Sequence, residues 1–302
     1  MEGHKQMGDH TLEYIMLTRI QGIGPVTQNR LLDLCGSISA CFELSETDLK
    51  ERDHARKRAI QIGSKKIELF LKHRTEEKIY AESEEIINTC LLKNIDVITP
   101  DSREYPGRFL GVPDKPVVLY TRGLLKINEY ARSIGIVGAR RCSAEGKQQA
   151  VETTVKELQN NSAIISGMAK GIDSYAHTAA IKNGGYTIAV LGNGPDLCYP
   201  AEHDRLYDVI VTQGCILSEY PPGTKPRQYS FPKRNRLIAA LSDELYVIDT
   251  GRKSGTQSTI DNCKKYGKLV ESTHFASHRD VLSDSFCESV MGQTVRPEGR
   301  FT

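Results

Sequence analysis

The sequence has 302 residues, of which 39% are hydrophobic and 26% are charged, and it contains no tryptophan. This composition is typical of an ordinary globular protein with room for about two domains. No apolar run approaches the roughly 20 residues that cross a bilayer, and the first residues lack the apolar core of a signal peptide. A net charge of +2 excludes a uniformly basic nucleic-acid coat, so a site for anions must come from local clustering of cations.

Three regions follow one another along the chain. Residues 11–78 carry apolar residues at helical spacing, interrupted by the turn GIGP, and predict a small all-helical domain. Residues 79–271 alternate short β-branched runs with helical patterns. Residues 272–302 are polar and aperiodic, which predicts a tail without a winged helix.

The middle region predicts an α/β fold. Its β-branched runs lie at residues 96–99, 133–139, 163–167, 186–192, 215–220, 244–250 and 268–271. Repeated strand–helix alternation with nearly continuous apolar strands favours a mainly parallel sheet with helices on both faces. Ligands of such sheets bind at the loops that follow the carboxyl ends of the strands.

Small residues and cations alternate in the loops that follow the predicted strands. A glycine turn before a helix offers free N–H groups to an anion, and a neighbouring arginine or lysine can bind its charge. A glycine turn with solvated cations is the alternative for any one loop, but several such loops at one edge of a sheet favour a site. The candidate residues in these loops are Gly138, Arg140, Ser143, Gly167, Lys170, Gly171, Asn193, Ser254, Gly255 and Thr256.

Residues 225–236 hold five cations and no acid, with Tyr229 and Phe231 among them. Cations that follow a phosphate backbone, together with aromatic rings that stack on bases, are the parts of a surface for single-stranded nucleic acid. Composition alone slightly favours the alternative, a solvated loop with Phe231 packed in the core. The candidate residues in this segment are Lys225, Phe231, Lys233, Arg234, Asn235 and Arg236.

Eight cysteines are scattered without the spacing of a metal site. We therefore expect reduced thiols, a cytoplasmic location, no metal, no cofactor and no membrane partner.

Six ordered motifs resemble those of the DNA-processing protein A (DprA/Smf) family, over about residues 11–270. They are IVGARRCSAEG, IISGMAKGIDSYAH, TIAVLGNGPDLCYP, LSEYPPG, FPKRNRLIAALS and SGT. The resemblance implies an extended Rossmann-like fold preceded by a SAM-like domain, whose GIG turn is similar to helix–hairpin–helix folds. It further implies a homodimer without enzymatic activity that binds and protects single-stranded DNA and loads the RecA recombinase during natural transformation.

The resemblance also implies roles for particular residues. The GARRCS turn is expected to contact phosphate, GMAKG to line the same pocket, and FPKRNR to meet base and backbone. The departures are Ala139 and Glu145 in the first motif, SGTQSTI in the last, and a polar segment after KLV. The residues given roles in this way are Arg140, Ser143, Lys170, Phe231, Arg234 and Arg236, with Ser254, Gly255 and Thr256 as the small-residue loop.

A nucleotide-processing enzyme is the alternative class of protein. Phosphoribohydrolases of the LOG type have a similar fold and a PGGxGTxxE signature that ends in a catalytic glutamate. Alignment of Gly255 and Thr256 with that signature places Thr259 at the glutamate position. A threonine hydroxyl is no general base near neutral pH without an activating partner. The sequence therefore disfavours an enzyme and leaves a non-catalytic nucleotide sensor as the second hypothesis.

Overall fold

The computed structural model describes residues 8, 10–249 and 255–273. The chain divides into two compact units. The first unit comprises Met1–Arg122, Gly192–Leu197 and Leu217–Ser230, and the second unit comprises Gly123–Leu191, Cys198–Ile216 and Phe231–Thr302.

Helices make up most of the described part of the first unit. They are α1 (Thr11–Arg19), α2 (Pro25–Cys35), α3 (Ile38–Glu43), α4 (Glu46–His54), α5 (Ser64–His73) and α6 (Glu77–Leu92). The sequence sets several of their ends: α2 begins at a proline and ends before Gly36, which has a left-handed φ of 88°. Ser45 and Asp48 form a capping box that starts α4. The domain boundary predicted at residue 78 lies within α6, which runs to Leu92.

An eight-stranded sheet follows these helices in the chain. Its strands are β1 (Asp96–Ile98), β2 (Leu119–Gly123), β3 (Arg132–Gly138), β4 (Ser162–Ser166), β5 (Thr187–Leu191), β6 (Cys215–Ser218), β7 (Glu244–Ile248) and β8 (Leu269–Thr273). The strand order is β1-β2-β6-β5-β4-β3-β7-β8. β1 and β2 pair antiparallel, whereas β3 is parallel to both β4 and β7. Every residue of β4 and β5 is buried, as expected for strands covered on both faces.

Five further α-helices flank the sheet. They are α7 (Ala144–Gln159), α8 (Ile172–Lys182), α9 (Asp204–Gln213), α10 (Ser230–Leu241) and α11 (Gln257–Lys265). The predicted α/β fold with a mainly parallel sheet and flanking helices is confirmed, and all seven predicted strands are present. β2 was not predicted. Apart from Ser272 and Thr273, which end β8, the predicted polar tail at 272–302 lies outside the described residues. In the described ranges, no helix is both long and apolar enough to cross a membrane.

Candidate nucleic-acid interface

The loops that follow β3, β4 and β7 leave the carboxyl ends of three neighbouring parallel strands of the second unit. The order β4-β3-β7 in the sheet places these ends side by side. We call the described part of these loops, with the first turns of α10, the rim; it comprises residues 139–143, 167–171, 231–236 and 255–256. Most of the predicted site residues of the second unit lie on it.

The loop after β3 exposes two arginines. Arg140 and Arg141 are both exposed, and among the described residues no acid forms an ion pair with either. Ser143 is the N-cap of α7, because its Oγ accepts a hydrogen bond of 3.0 Å from the N–H of Gly146. The N–H of Ser143 donates to the Asp249 carboxylate at 2.5 Å. The N–H of Ser143 is thus engaged by Asp249 and its Oγ by the helix, while its O–H can still donate to an anion, so the phosphate contact of Ser143 stays a prediction.

Glycines allow the loops of the rim to touch. A Cβ atom at Gly138 would lie 2.1 Å from the carbonyl oxygen of Ile248, which leaves room for glycine alone. Gly171 has a φ of 78°, and a Cβ atom there would lie 2.2 Å from the carbonyl oxygen of Ala139. The loop after β4 therefore rests directly on the loop after β3.

Hydrogen bonds hold the loop after β4 in a demanding conformation. Met168 is fully buried and has a φ of 63°, a backbone angle that residues other than glycine rarely adopt. The Asp173 carboxylate accepts from the N–H groups of Gly167 and Ala169 at 3.0 and 3.3 Å. The His203 ring donates to the carbonyl oxygen of Met168 at 3.1 Å. Burial raises the pKa of Asp173, and the guanidinium of Arg234 and the two amides oppose this shift.

Arg234 is the buried cation of the rim: its side chain points beneath the surface and not to solvent. The side chain is 5% exposed, and its guanidinium donates to the carbonyl oxygens of Gly167, at 2.6 Å, and Val190. A Cβ atom at Gly167 would come within 2.6 Å of that guanidinium, which explains the glycine. We predicted that Arg234 meets base or backbone. Its burial and carbonyl partners correct that role: Arg234 ties the loop after β4 and strand β5 to α10, and it balances the charge of the Asp173 carboxylate.

Lys170 remains on the surface of the rim. Its side chain is 46% exposed, and its Nζ donates to the Glu202 carboxylate at 2.7 Å. This hydrogen bond is the main cause that lowers the pKa of Glu202. An exposed pair of this kind contributes little free energy in water, so a phosphate can replace Glu202 as the partner of Lys170.

The first turns of α10 complete the rim. The Asn235 amide donates to the carbonyl oxygen of Gly255 at 3.1 Å and to Ser258 Oγ at 2.8 Å, which fixes the turn before α11. Thr256 is buried and Gly255 exposed in that turn, while Ser254 lies outside the described residues. Phe231 and Arg236 are half-buried, and Lys233 is exposed.

Two predicted residues belong to the first unit. Asn193 is buried, and its amide donates to the carbonyl oxygens of Leu197 at 2.7 Å and Gly194 at 3.0 Å, so it stabilises its own turn. Lys225 is exposed.

Sequence reasoning missed the partners of these residues. Asp249 accepts a hydrogen bond from the N–H of Ser143, and Glu202 accepts one from Lys170. Tyr199, whose ring stacks on Phe231, was also missed. The available signal was weak: an acid at the end of a strand or in the first turn of a helix is common.

Among the described residues near the rim, burial shifts the pKa values of two cysteines and a histidine away from those of an activated nucleophile or base. Burial raises the pKa of Cys142 to about 11 and that of Cys198 to about 12, the opposite of an activated thiol. His177 is fully buried, its Nδ1 lies 2.7 Å from Thr187 Oγ1, and burial lowers its pKa to about 3. Within the described ranges, no group of three or more His, Cys, Asp or Glu side chains could hold a metal ion.

Glycine turns and exposed cations at the carboxyl edge of a parallel sheet define a Rossmann-like protein with a candidate anion-binding rim. The sequence narrows this class further. Residues 96–282 match the family model of DNA recombination-mediator protein A, and the chain belongs to that family.

Curated relatives cover much of the chain. Protein Smf of Synechocystis sp. is 35% identical over 260 residues, which are 85% of this chain and 63% of that protein. The DNA processing protein DprA of Streptococcus pneumoniae is 40% identical over 166 residues, 55% of this chain and 58% of that protein. The chain thus spans less than two thirds of the length of these relatives.

Solved structures agree with the fold. The crystal structure of DprA from Streptococcus pneumoniae has a TM-score of 0.70 and 30% identity, and the match covers 94% of this chain and 93% of that one. The DNA processing protein A of Helicobacter pylori, studied for its single-stranded DNA binding mode, has a TM-score of 0.55 and 28% identity. That match covers 67% of this chain and 91% of the other.

Proposed function

We propose that the rim binds single-stranded DNA through its phosphates, with little sequence preference and without catalysis. The observation that carries this proposal is the contact between Gly171 and the carbonyl oxygen of Ala139. It supports one common surface for Arg140 and Lys170, which adjoin these two residues. The single-stranded DNA binding of the Helicobacter pylori relative supports the same ligand.

The exposed cations predict how strongly salt weakens binding. Arg140, Lys170 and Lys233 are the exposed predicted cations of the rim. If each neutralises one phosphate, the logarithm of the affinity falls with the logarithm of the salt concentration with a slope of about −2, at about −0.7 per contact. Arg234 adds nothing to this slope, because its guanidinium is engaged with backbone carbonyls.

The wider biological role is also a proposal, and it rests on the family. We propose that the chain acts in the cytoplasm as a homodimer that protects incoming single-stranded DNA and loads RecA onto it. The helices of residues 11–78 would form the SAM-like domain that precedes the Rossmann-like domain, residues 79–271.

The test is a titration of fluorescein-labelled oligothymidine, followed by anisotropy at several salt concentrations. Arg140→Ala and Lys170→Ala should each weaken binding and reduce the steepness of the salt dependence by about 0.7. Lys156→Ala is the matched control, since this exposed lysine lies in the last turn of α7, about 20 Å along the helix from the rim.

Three results would contradict the proposal. One is unchanged binding by the double variant of Arg140 and Lys170, and another is an equal loss with Lys156→Ala. The third would come from calorimetry: a mononucleotide that binds as tightly as the oligonucleotide would favour the nucleotide sensor.

A further inference from the structure

An exposed aromatic ring lies next to the rim. Tyr199 is 46% exposed, although tyrosine has a large apolar ring. Its ring stacks on Phe231 with the centroids 5.4 Å apart and the planes inclined by 28°. Phe231 therefore packs against one face of the Tyr199 ring, while much of the tyrosine remains exposed to solvent. Offset stacking of this kind holds both rings in place.

Tyr199 belongs to a segment that runs along the loop after β4. Glu202, three residues further on, is bonded to Lys170, and His203 donates to the carbonyl oxygen of Met168. Phe231, beneath the Tyr199 ring, is three residues before Arg234, which is bonded to the carbonyl oxygen of Gly167. Two separate connections thus place Tyr199 beside the loop that carries Lys170.

We propose that Tyr199 is a base-stacking residue of the interface, with Phe231 as the supporting ring behind it. The inference rests on the proposed binding of single-stranded DNA and adds a residue that contacts bases. A nucleobase would stack on the free face of Tyr199 while Lys170 binds a neighbouring phosphate. Any base has a flat π-face, so this contact favours no particular sequence.

Phe231 itself is the less favourable platform. Its ring is half-buried, and the stacked tyrosine covers part of it. Direct stacking of a base on that face of Phe231 would first require Tyr199 to move away. Tyr199 is the more exposed ring of the pair and would be the one to receive a base, with Phe231 packed behind it.

The chain contains no tryptophan, which allows a direct test. Tyr199→Trp introduces a single indole, whose emission is quenched when a base stacks on it. Emission and the anisotropy of a labelled oligothymidine are measured in one titration. We expect a saturable loss of emission that follows the anisotropy curve. Tyr80→Trp is the control, because Tyr80 is 44% exposed on α6, a helix of the first unit, and its indole should not be quenched.

Affinity provides the second measurement. Tyr199→Ala should weaken binding about 5- to 150-fold, the range expected for the loss of one stacked base, with an unchanged salt slope. Tyr199→Phe should bind within about twofold of the wild type, because a phenyl ring also stacks. Circular dichroism of each variant establishes that it is folded.

The outcomes separate this inference from the proposed function. Oligothymidine binding without quenching of Tyr199→Trp, or with full affinity of Tyr199→Ala, overturns the stacking role and leaves DNA binding in place. A wild-type protein that does not bind oligothymidine overturns both.

Discussion

The exposed arginines of the rim and its buried arginine, Arg234, come from similarly basic sequences but have different roles. Arg140 and Arg141 follow a strand and are exposed, whereas Arg234 lies in an equally basic segment and is buried against backbone carbonyls. The difference arises from the neighbours. The Arg234 guanidinium donates to two backbone carbonyls and lies near enough to the buried Asp173 to affect its pKa, so it is part of the core. An arginine that meets only solvent stays available to a ligand.

The largest expected difference between the buried and the exposed arginines is in the free energy of unfolding of their alanine variants. Arg234→Ala should lower the free energy of unfolding by about 3–5 kcal/mol, because it leaves the Asp173 carboxylate buried without its cation. Arg140→Ala should change it by less than about 0.5 kcal/mol. Urea denaturation of both variants checks this. Equal free energies of unfolding for the two variants would contradict the structural role of Arg234.

The second prediction concerns a buried titratable group, His177, and the pH dependence of stability. The pKa of His177 is about 3 in the folded protein, against 6.5 in the unfolded chain. Between these values the unfolded chain binds a proton that the folded protein does not, so stability is lost as pH falls from about 6.5 towards 3. The loss from this group is at most about 1.4 kcal/mol per pH unit.

His177→Asn isolates that contribution, since the asparagine amide can also hydrogen-bond to Thr187 Oγ1, which itself donates to the carbonyl oxygen of Ile164. Urea unfolding of both proteins between pH 7 and pH 4 should show a shallower decline for the variant. If the free energy of unfolding falls equally with pH in both proteins, the pKa of His177 is not lowered in the folded state.

The smallest expected effect is on DNA affinity, and it concerns the exposed ion pair of Lys170 and Glu202. Glu202→Gln removes the carboxylate that pairs with Lys170, so a phosphate no longer competes with it. Affinity for oligothymidine should rise, by up to about fivefold, as expected for the loss of one exposed ion pair. Glu152→Gln, an exposed acid on α7, is the control and should leave affinity unchanged. A weaker complex with Glu202→Gln would show that the pair supports the loop.

Local pattern was sufficient for most of the fold. Apolar β-branched runs mark the strands of a buried parallel sheet, and all seven that were predicted exist. β2 escaped because its run, Leu119–Gly123, follows a stretch punctuated by Pro113 and Pro116 and precedes no strong helical pattern.

The site was less predictable, because its contacts join distant residues. The hydrogen bond between Ser143 and Asp249 joins residues 106 positions apart in the sequence. The hydrogen bond between Arg234 and Gly167 joins residues 67 positions apart. Composition identifies an arginine near a glycine turn, but only the packing of α10 against strand β5 and the loop after β4 decides that Arg234 is buried. Sequence therefore located the rim, and tertiary contacts determined which of its cations are exposed.

A crystal structure with a short oligothymidine is the most direct test of the central claim. The account predicts phosphates within hydrogen-bond distance of Arg140 and Lys170, while the Arg234 guanidinium keeps its bond to the Gly167 carbonyl. DNA bound away from the rim, or an Arg234 side chain that leaves its carbonyls to hold a phosphate, would contradict it.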